Sequence, residues 1–134
     1  MKISTDREIL ECLFSEYASA FEAAQSAPDK DGNRIYVPVD LLHVASLLDN
    51  DPHVLFGRLY YHLDQKYRYK QNSGEDVHLF ALQVGNARRC INYPYLCALL
   101  ADFRERHMES RKSFWVSVAA LAFSLGAIIA QLSG

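Results

Sequence analysis

The chain closes on FWVSVAALAFSLGAIIAQLSG, from Phe114 to Gly134, a stretch without a single charge. A globule of ordinary size has few ways to accommodate it. From Ser113 to Ser133 the segment would form a helix about 31 Å long, and the hydrocarbon of a bilayer is about 30 Å thick. Nine of these residues are Leu, Ile, Val or Phe. At roughly −0.3 to −0.6 kcal/mol each, they favour insertion by about 3 to 5 kcal/mol. The alternative is a core helix apolar on every side, which the roughly 112 remaining residues would struggle to cover.

The flanks agree with a span. RERHMESRK places Arg104, Arg106, Arg111 and Lys112 upstream, and Trp115 falls at interfacial depth. Such cations stay on the cytoplasmic side under the positive-inside rule. Only Ser133 and Gly134 follow, so the segment is expected to be a tail anchor: a single-pass protein with its N-terminal domain in the cytoplasm, at the inner membrane if the source is bacterial. The opening MKISTDREIL becomes charged within six residues and does not read as a secretory signal.

Within the span, Ser113, Ser117, Ala120, Ser124, Ala127 and Gln131 follow steps of four, three, four, three and four. That is the seam spacing of supercoiled helices. A second small-residue face carries Ala122, Gly126 and Ala130 at intervals of four. Small residues let helix backbones approach closely, and an interhelical Ser or Gln hydrogen bond adds about 0.6 kcal/mol. Self-association through the membrane is expected, making lipid and further copies of the chain its first partners. A Ser and Gln stripe lining a narrow water path is the variant of this reading.

The preceding part is mixed helix and sheet, so the fold class is α+β, in three stretches: 1–92, a connecting amphipathic helix over 93–112, and the membrane helix over 113–134. Thr5 and Glu8 stand in capping-box spacing before the helical repeat Ile9, Leu10, Leu13, Phe14, Tyr17 and Phe21. SAPDKDGNR reads as a loop. IYVPV reads as a short strand that Pro38 confines to an edge. Asp40 caps a second helix over LLHVASLL. Asp51, with Pro52 behind it, caps a third over PHVLFGRLYYHLDQKY, which should bury Leu55, Phe56, Leu59 and Leu63. YRYKQNSGEDVHLFAL reads as a hairpin of a basic and an apolar strand, and VGNARRCIN as a second hairpin around Gly85 and Asn86.

Helix, short strand, helix, tight turn, helix and two-stranded wing resembles the winged helix-turn-helix superfamily. Residues 37–82 carry the resemblance and residues 5–27 supply its first helix. The match lies in the order of elements, without a residue fingerprint. It implies a module that commonly docks its third helix in a DNA major groove, and often serves as a protein-binding platform instead. Here the third helix opens Asp51, Pro52, His53, Val54, Leu55, Phe56, without the Arg, Lys, Asn or Gln that read base edges from such a position. Its outward face should show Val54, Gly57, Arg58, Tyr61, Gln65 and Arg68, closer to a protein-contact surface, where Tyr and Arg are enriched.

Charge points the same way. Residues 1–50 hold four Lys or Arg against nine Asp or Glu, and residues 51–92 six against four. That falls short of a nucleic-acid footprint. Lys66, Lys70, Arg88 and Arg89, with Arg111 and Lys112 beside the membrane, are the candidates for contact with phosphates or anionic lipid. Cys12, Cys90 and Cys97 are widely spaced and form neither a zinc pattern nor a disulfide framework. The five histidines show no metal-binding spacing, and no phosphate loop or nucleophile motif occurs. No enzyme activity, metal or cofactor is expected. The expectation is a membrane adaptor that binds a partner protein, with a membrane-perturbing effector as one version. A membrane-bound DNA-binding regulator is the rival.

Overall fold

The computed structural model describes residues 1–27 and 34–133. It is an α+β chain that divides into two compact units, Met1–Leu100 and Ala101–Gly134. The division falls part-way along the last helix. Most of the expected loop SAPDKDGNR lies on residues 28–33, outside the described ones.

In the first unit, α1 (Asp6–Ser26) starts on the expected capping box. The Glu8 amide donates to Thr5 Oγ1 at 3.1 Å, and the Thr5 amide donates to Glu8 Oε1 at 3.2 Å. It buries Ile9, Leu10 and Leu13. β1 (Tyr36–Pro38) leads to α2 (Leu41–Leu48), whose N-cap Asp40 accepts from the His43 amide. The chain reverses at Asp49, in the left-handed region with φ 55°. Asp51 then accepts from the His53 and Val54 amides to start α3 (Pro52–Gly57).

The expected third helix does run to Tyr67, but not as one α-helix. A π-helical segment, Arg58–Leu63, separates α3 from α4 (Asp64–Tyr67), and the Asp64 amide bonds back to the Leu59 carbonyl. The wider turn places neighbours inward together: Leu59 with Tyr60, and Leu63 with Asp64, all buried.

β2 (Tyr69–Lys70) and β3 (Asp76–Val77) form a two-residue ladder closed by a turn at Gly74, φ 88°. β4 (Phe80–Val84) and β5 (Ala87–Asn92) form the second hairpin around Gly85, φ 58°. β1 pairs with β5 alone, giving an antiparallel sheet ordered β1-β5-β4 with Pro38 on its edge as expected. The first hairpin differs from expectation. Its apolar half joins β5 instead of the basic strand. Tyr69 and Lys70 are exposed, whereas Leu79 and Phe80 sit in the core.

That placement is held by polar groups. Buried Asp64 accepts on Oδ1 from the Leu79 amide at 2.9 Å and the Phe80 amide at 3.1 Å, and its Oδ2 lies 3.0 Å from His78 Nδ1. Buried Asn92 donates its amide to the Leu79 carbonyl, and its Oδ1 accepts from the Tyr95 amide at the start of α5 (Tyr93–Ser133). Tyr93 stacks on Phe21 and donates its hydroxyl to the Phe14 carbonyl, and Leu96 and Leu100 complete the core.

Asp6 joins the start of α1 to the third-helix region. Arg58 Nη2 donates to its Oδ1 at 2.6 Å, and Lys66 Nζ to its Oδ2 at 2.9 Å. Partial burial works to raise the Asp6 carboxyl, and the hydrogen bonds and charges of Lys66 and Arg58 together overcome it, holding the group below the ordinary carboxylate range. A carboxyl lowered on folding contributes stability above its unfolded pKa, and the contribution disappears as pH falls through the folded value. Asp6→Asn is therefore expected to flatten the loss of stability below about pH 4, read from unfolding midpoints across an acid series.

Candidate functional site

Two surfaces stand out, one in each unit. The first lies where the π-helical turn meets the exposed side of α3. Phe56 sits 5.0 Å from the Tyr60 ring and 5.5 Å, edge-on, from Tyr61. The Arg89 guanidinium from β5 lies over the Phe56 ring at 5.6 Å, a cation–π distance. Tyr61 is 67% exposed and Val54 37%. A Cβ added at Gly57 would meet nothing within 4 Å. The result is an open apolar floor with an aromatic ring and a cation at its margin.

Of the six residues expected on one face, Tyr61 contacts the Phe56 ring, Val54 is exposed and Gly57 has open space beside it. Arg58 is tied to Asp6 and donates Nη1 to the Ser4 carbonyl at 2.8 Å. Gln65 and Arg68 are exposed, further along the chain in and after α4. Phe56, expected in the core, is only half-buried, and with Arg89 it is the residue that sequence reasoning placed elsewhere. Arg89 holds φ 55°, an uncommon conformation for a residue with a side chain, while its carbonyl accepts from the Val39 amide at 2.8 Å. Sheet pairing thus constrains the backbone that carries this guanidinium. Tyr60 lies beneath, its hydroxyl without a hydrogen-bond partner among the described residues; burial pushes its phenol pKa up.

The candidate phosphate contacts are dispersed. Lys66 pairs with Asp6, Arg89 lies over Phe56, and Lys70 and Arg88 are exposed on different strands. α2 adds exposed Leu42 and Leu47, at 68% and 51%. The signal for them was present: LLHVASLL has more apolar side chains than one helix face can bury.

The second surface is the helix of the second unit. It contains an apolar window of mean hydropathy 2.0 that is 0% buried, long and apolar enough to cross a membrane. Phe114, Trp115, Leu121, Phe123, Ile129 and Leu132 are each more than 60% exposed. Ser124 donates its hydroxyl to the Ala120 carbonyl at 3.1 Å, so one donor of the expected seam is satisfied within its own helix. Added bulk at Gly126 would meet nothing within 4 Å, and Ala119, Ala122, Phe123 and Ala127 surround the shallow depression it leaves. Arg111, Lys112, Trp115 and Met108 share one side of the helix just before the apolar stretch.

No group of three or more His, Cys, Asp or Glu among the described residues is placed to hold a metal ion. No protein-family model matches this chain, and neither curated proteins nor solved structures yield a match.

Proposed function

We propose that this chain is a membrane-anchored adaptor. Its first unit is a winged-helix-like module in the cytoplasm that binds a partner protein through Val54, Phe56, Gly57, Tyr61 and Arg89. Its last helix spans the bilayer and self-associates. The observation that carries the reading is the uncovered apolar window of α5. A core helix of comparable hydropathy would be mostly buried in its own chain, and this one is not. The topology supports the module: helix, strand, helix, helix, then the β4–β5 hairpin with β1 paired to β5. On this reading the wing is the β4–β5 hairpin and not the hairpin expected within residues 37–82, and β2–β3 is an addition before it. The upstream cations favour a cytoplasmic first unit.

Protein contact is the better use of the first surface because the cations on its helix are committed. Arg58 and Lys66 both pair with Asp6, and the helix start offers no side chain suited to base edges. The full chain in membrane vesicles should resist alkaline carbonate and expose its first unit to protease on the cytoplasmic side. Release by carbonate, or protection of the first unit, would refute the anchor or its orientation. For the partner, Tyr61→Ala should leave the unfolding free energy within about 0.5 kcal/mol of the parent, because the ring is exposed. It should weaken capture of a partner recovered with the parent chain by about 2 kcal/mol, roughly thirtyfold. Tight, steeply salt-dependent binding to duplex DNA would instead support the regulator.

A further inference from the structure

An open cleft of about 540 Å³ in the first unit shares no residue with the surface around Phe56. Its volume falls within the range of small-molecule sites, about 300 to 1,000 Å³. Three tyrosines from separate elements line it: Tyr36 in β1, Tyr69 in β2 and Tyr95 at the start of α5. The Tyr69 and Tyr95 rings have centroids 5.5 Å apart and planes at 77°, which makes them two walls of a corner. Two of the three phenols are held by the chain. Tyr95 donates its hydroxyl to the Tyr67 carbonyl at 2.6 Å, and the Tyr36 hydroxyl hydrogen-bonds with the Asn92 side chain. With those polar ends engaged, the rings are what they offer a ligand.

The charge of the cleft has one sign. Glu75, just before β3, and Asp76 within it belong to the lining, and no Lys, Arg or His does. Both residues are exposed. Neither carboxylate makes an ion pair among the described residues, although Lys70 stands opposite Asp76 in the β2–β3 ladder. The start of α5 could have attracted an anion, but its amides are already satisfied. The Tyr93 amide donates to the Ile35 carbonyl, Pro94 has no N–H, and the Tyr95 amide donates to Asn92 Oδ1.

We propose that this cleft binds a small organic cation with an alkylated ammonium head, of the trimethylammonium type. The faces of aromatic rings attract a cation through their quadrupole, and aromatic enclosures suit quaternary ammonium groups, which have no N–H to satisfy. A primary ammonium is strongly hydrated and carries three donors that each need an acceptor. The Tyr69–Tyr95 corner presents rings instead. Glu75 and Asp76 then add attraction at the margin without having to touch the ligand. Trimethylammonium can arrive on free choline or on the headgroup of a choline lipid, and the recognised cation is the same in both. The site lies in the first unit alone and requires neither the anchor nor the protein partner.

Equilibrium dialysis of the full chain, in a sugar-headgroup detergent, against radiolabelled choline tests this. Saturable binding is expected. As competitors, ethanolamine and the uncharged isostere 3,3-dimethylbutanol should each be at least about tenfold weaker than unlabelled choline. Tyr69 is about half exposed, so Tyr69→Ala should keep the parent's unfolding midpoint and lose about tenfold in choline affinity. Tyr69→Phe keeps the ring and should keep the affinity. Glu75→Gln with Asp76→Asn should weaken binding about fivefold, a loss that shrinks as salt is raised. Chains in digalactosyl-diacylglycerol vesicles and in phosphatidylcholine vesicles separate the two sources. Equal choline binding in both assigns the free cation, and suppression in phosphatidylcholine assigns the lipid headgroup. Absence of saturable binding in detergent would overturn the proposal. So would a neutral isostere or ethanolamine that competes as well as choline, or a Tyr69→Ala chain that binds like the parent.

Discussion

A chain carrying Leu121→Arg together with Leu125→Arg is expected to leave the membrane fraction. Both leucines lie well inside the apolar stretch, 67% and 55% exposed and uncovered by their own chain. The nine large apolar residues favour insertion by about 3 to 5 kcal/mol. Two arginines near the centre cost about 5 to 7 kcal/mol, and the lost leucines about 1 more, so the balance reverses sign. Leu121→Ala with Leu125→Ala removes only about 1 kcal/mol and should stay inserted. Alkaline carbonate extraction separates the outcomes: the arginine variant moves to the supernatant or is lost to degradation, and the alanine variant remains in the pellet. An arginine variant that still resists carbonate would mean α5 does not cross the bilayer. The large cost follows from composition and exposure together, since the same substitution in a buried helix would unfold the domain instead.

How much of this architecture the sequence discloses depends on the range of the forces involved. The capping box at Thr5 and Glu8, the Asp40 and Asp51 caps, and the Gly85 turn are local, and each lies where its residues indicate. The apolar span is likewise local, a property of composition over one window. Strand pairing is not. The segment 79–84, apolar but for Gln83, suits either neighbour, and its pairing with β5 goes with contacts from Asp64, more than a dozen residues earlier. The π-helical turn escaped for a related reason. A 3.6-residue period fits Leu55, Leu59 and Leu63, and nothing in it reports that Tyr60 and Asp64 also turn inward. The candidate surface inherits that limit: Tyr61 was legible as an exposed position, whereas Arg89 reaches Phe56 only through the fold.

Asp64→Ala is expected to be the most damaging single substitution in the first unit, lowering stability by about 3 kcal/mol or more. Asp64 is 7% exposed. Its carboxylate accepts from two backbone amides of Leu79 and Phe80, both buried, and lies against His78. Removing it leaves two N–H groups with no acceptor in a region water does not reach. Each orphaned group costs roughly 1 to 3 kcal/mol. The damage is not confined to that point, because Leu79 and Phe80 enter the core there and the Asn92 backbone amide donates to the Leu79 carbonyl. Asp64→Asn provides the discriminating control. Its carbonyl oxygen can still accept from both amides, so the loss should fall to about 1 kcal/mol, reflecting mainly the charge beside His78. On a first unit of this size, the alanine variant should melt roughly 10 °C or more below the parent and the asparagine variant only a few degrees below. Equal losses in the two would place the stabilisation in the negative charge, and a near-neutral alanine variant would mean that the start of β4 is held by packing alone.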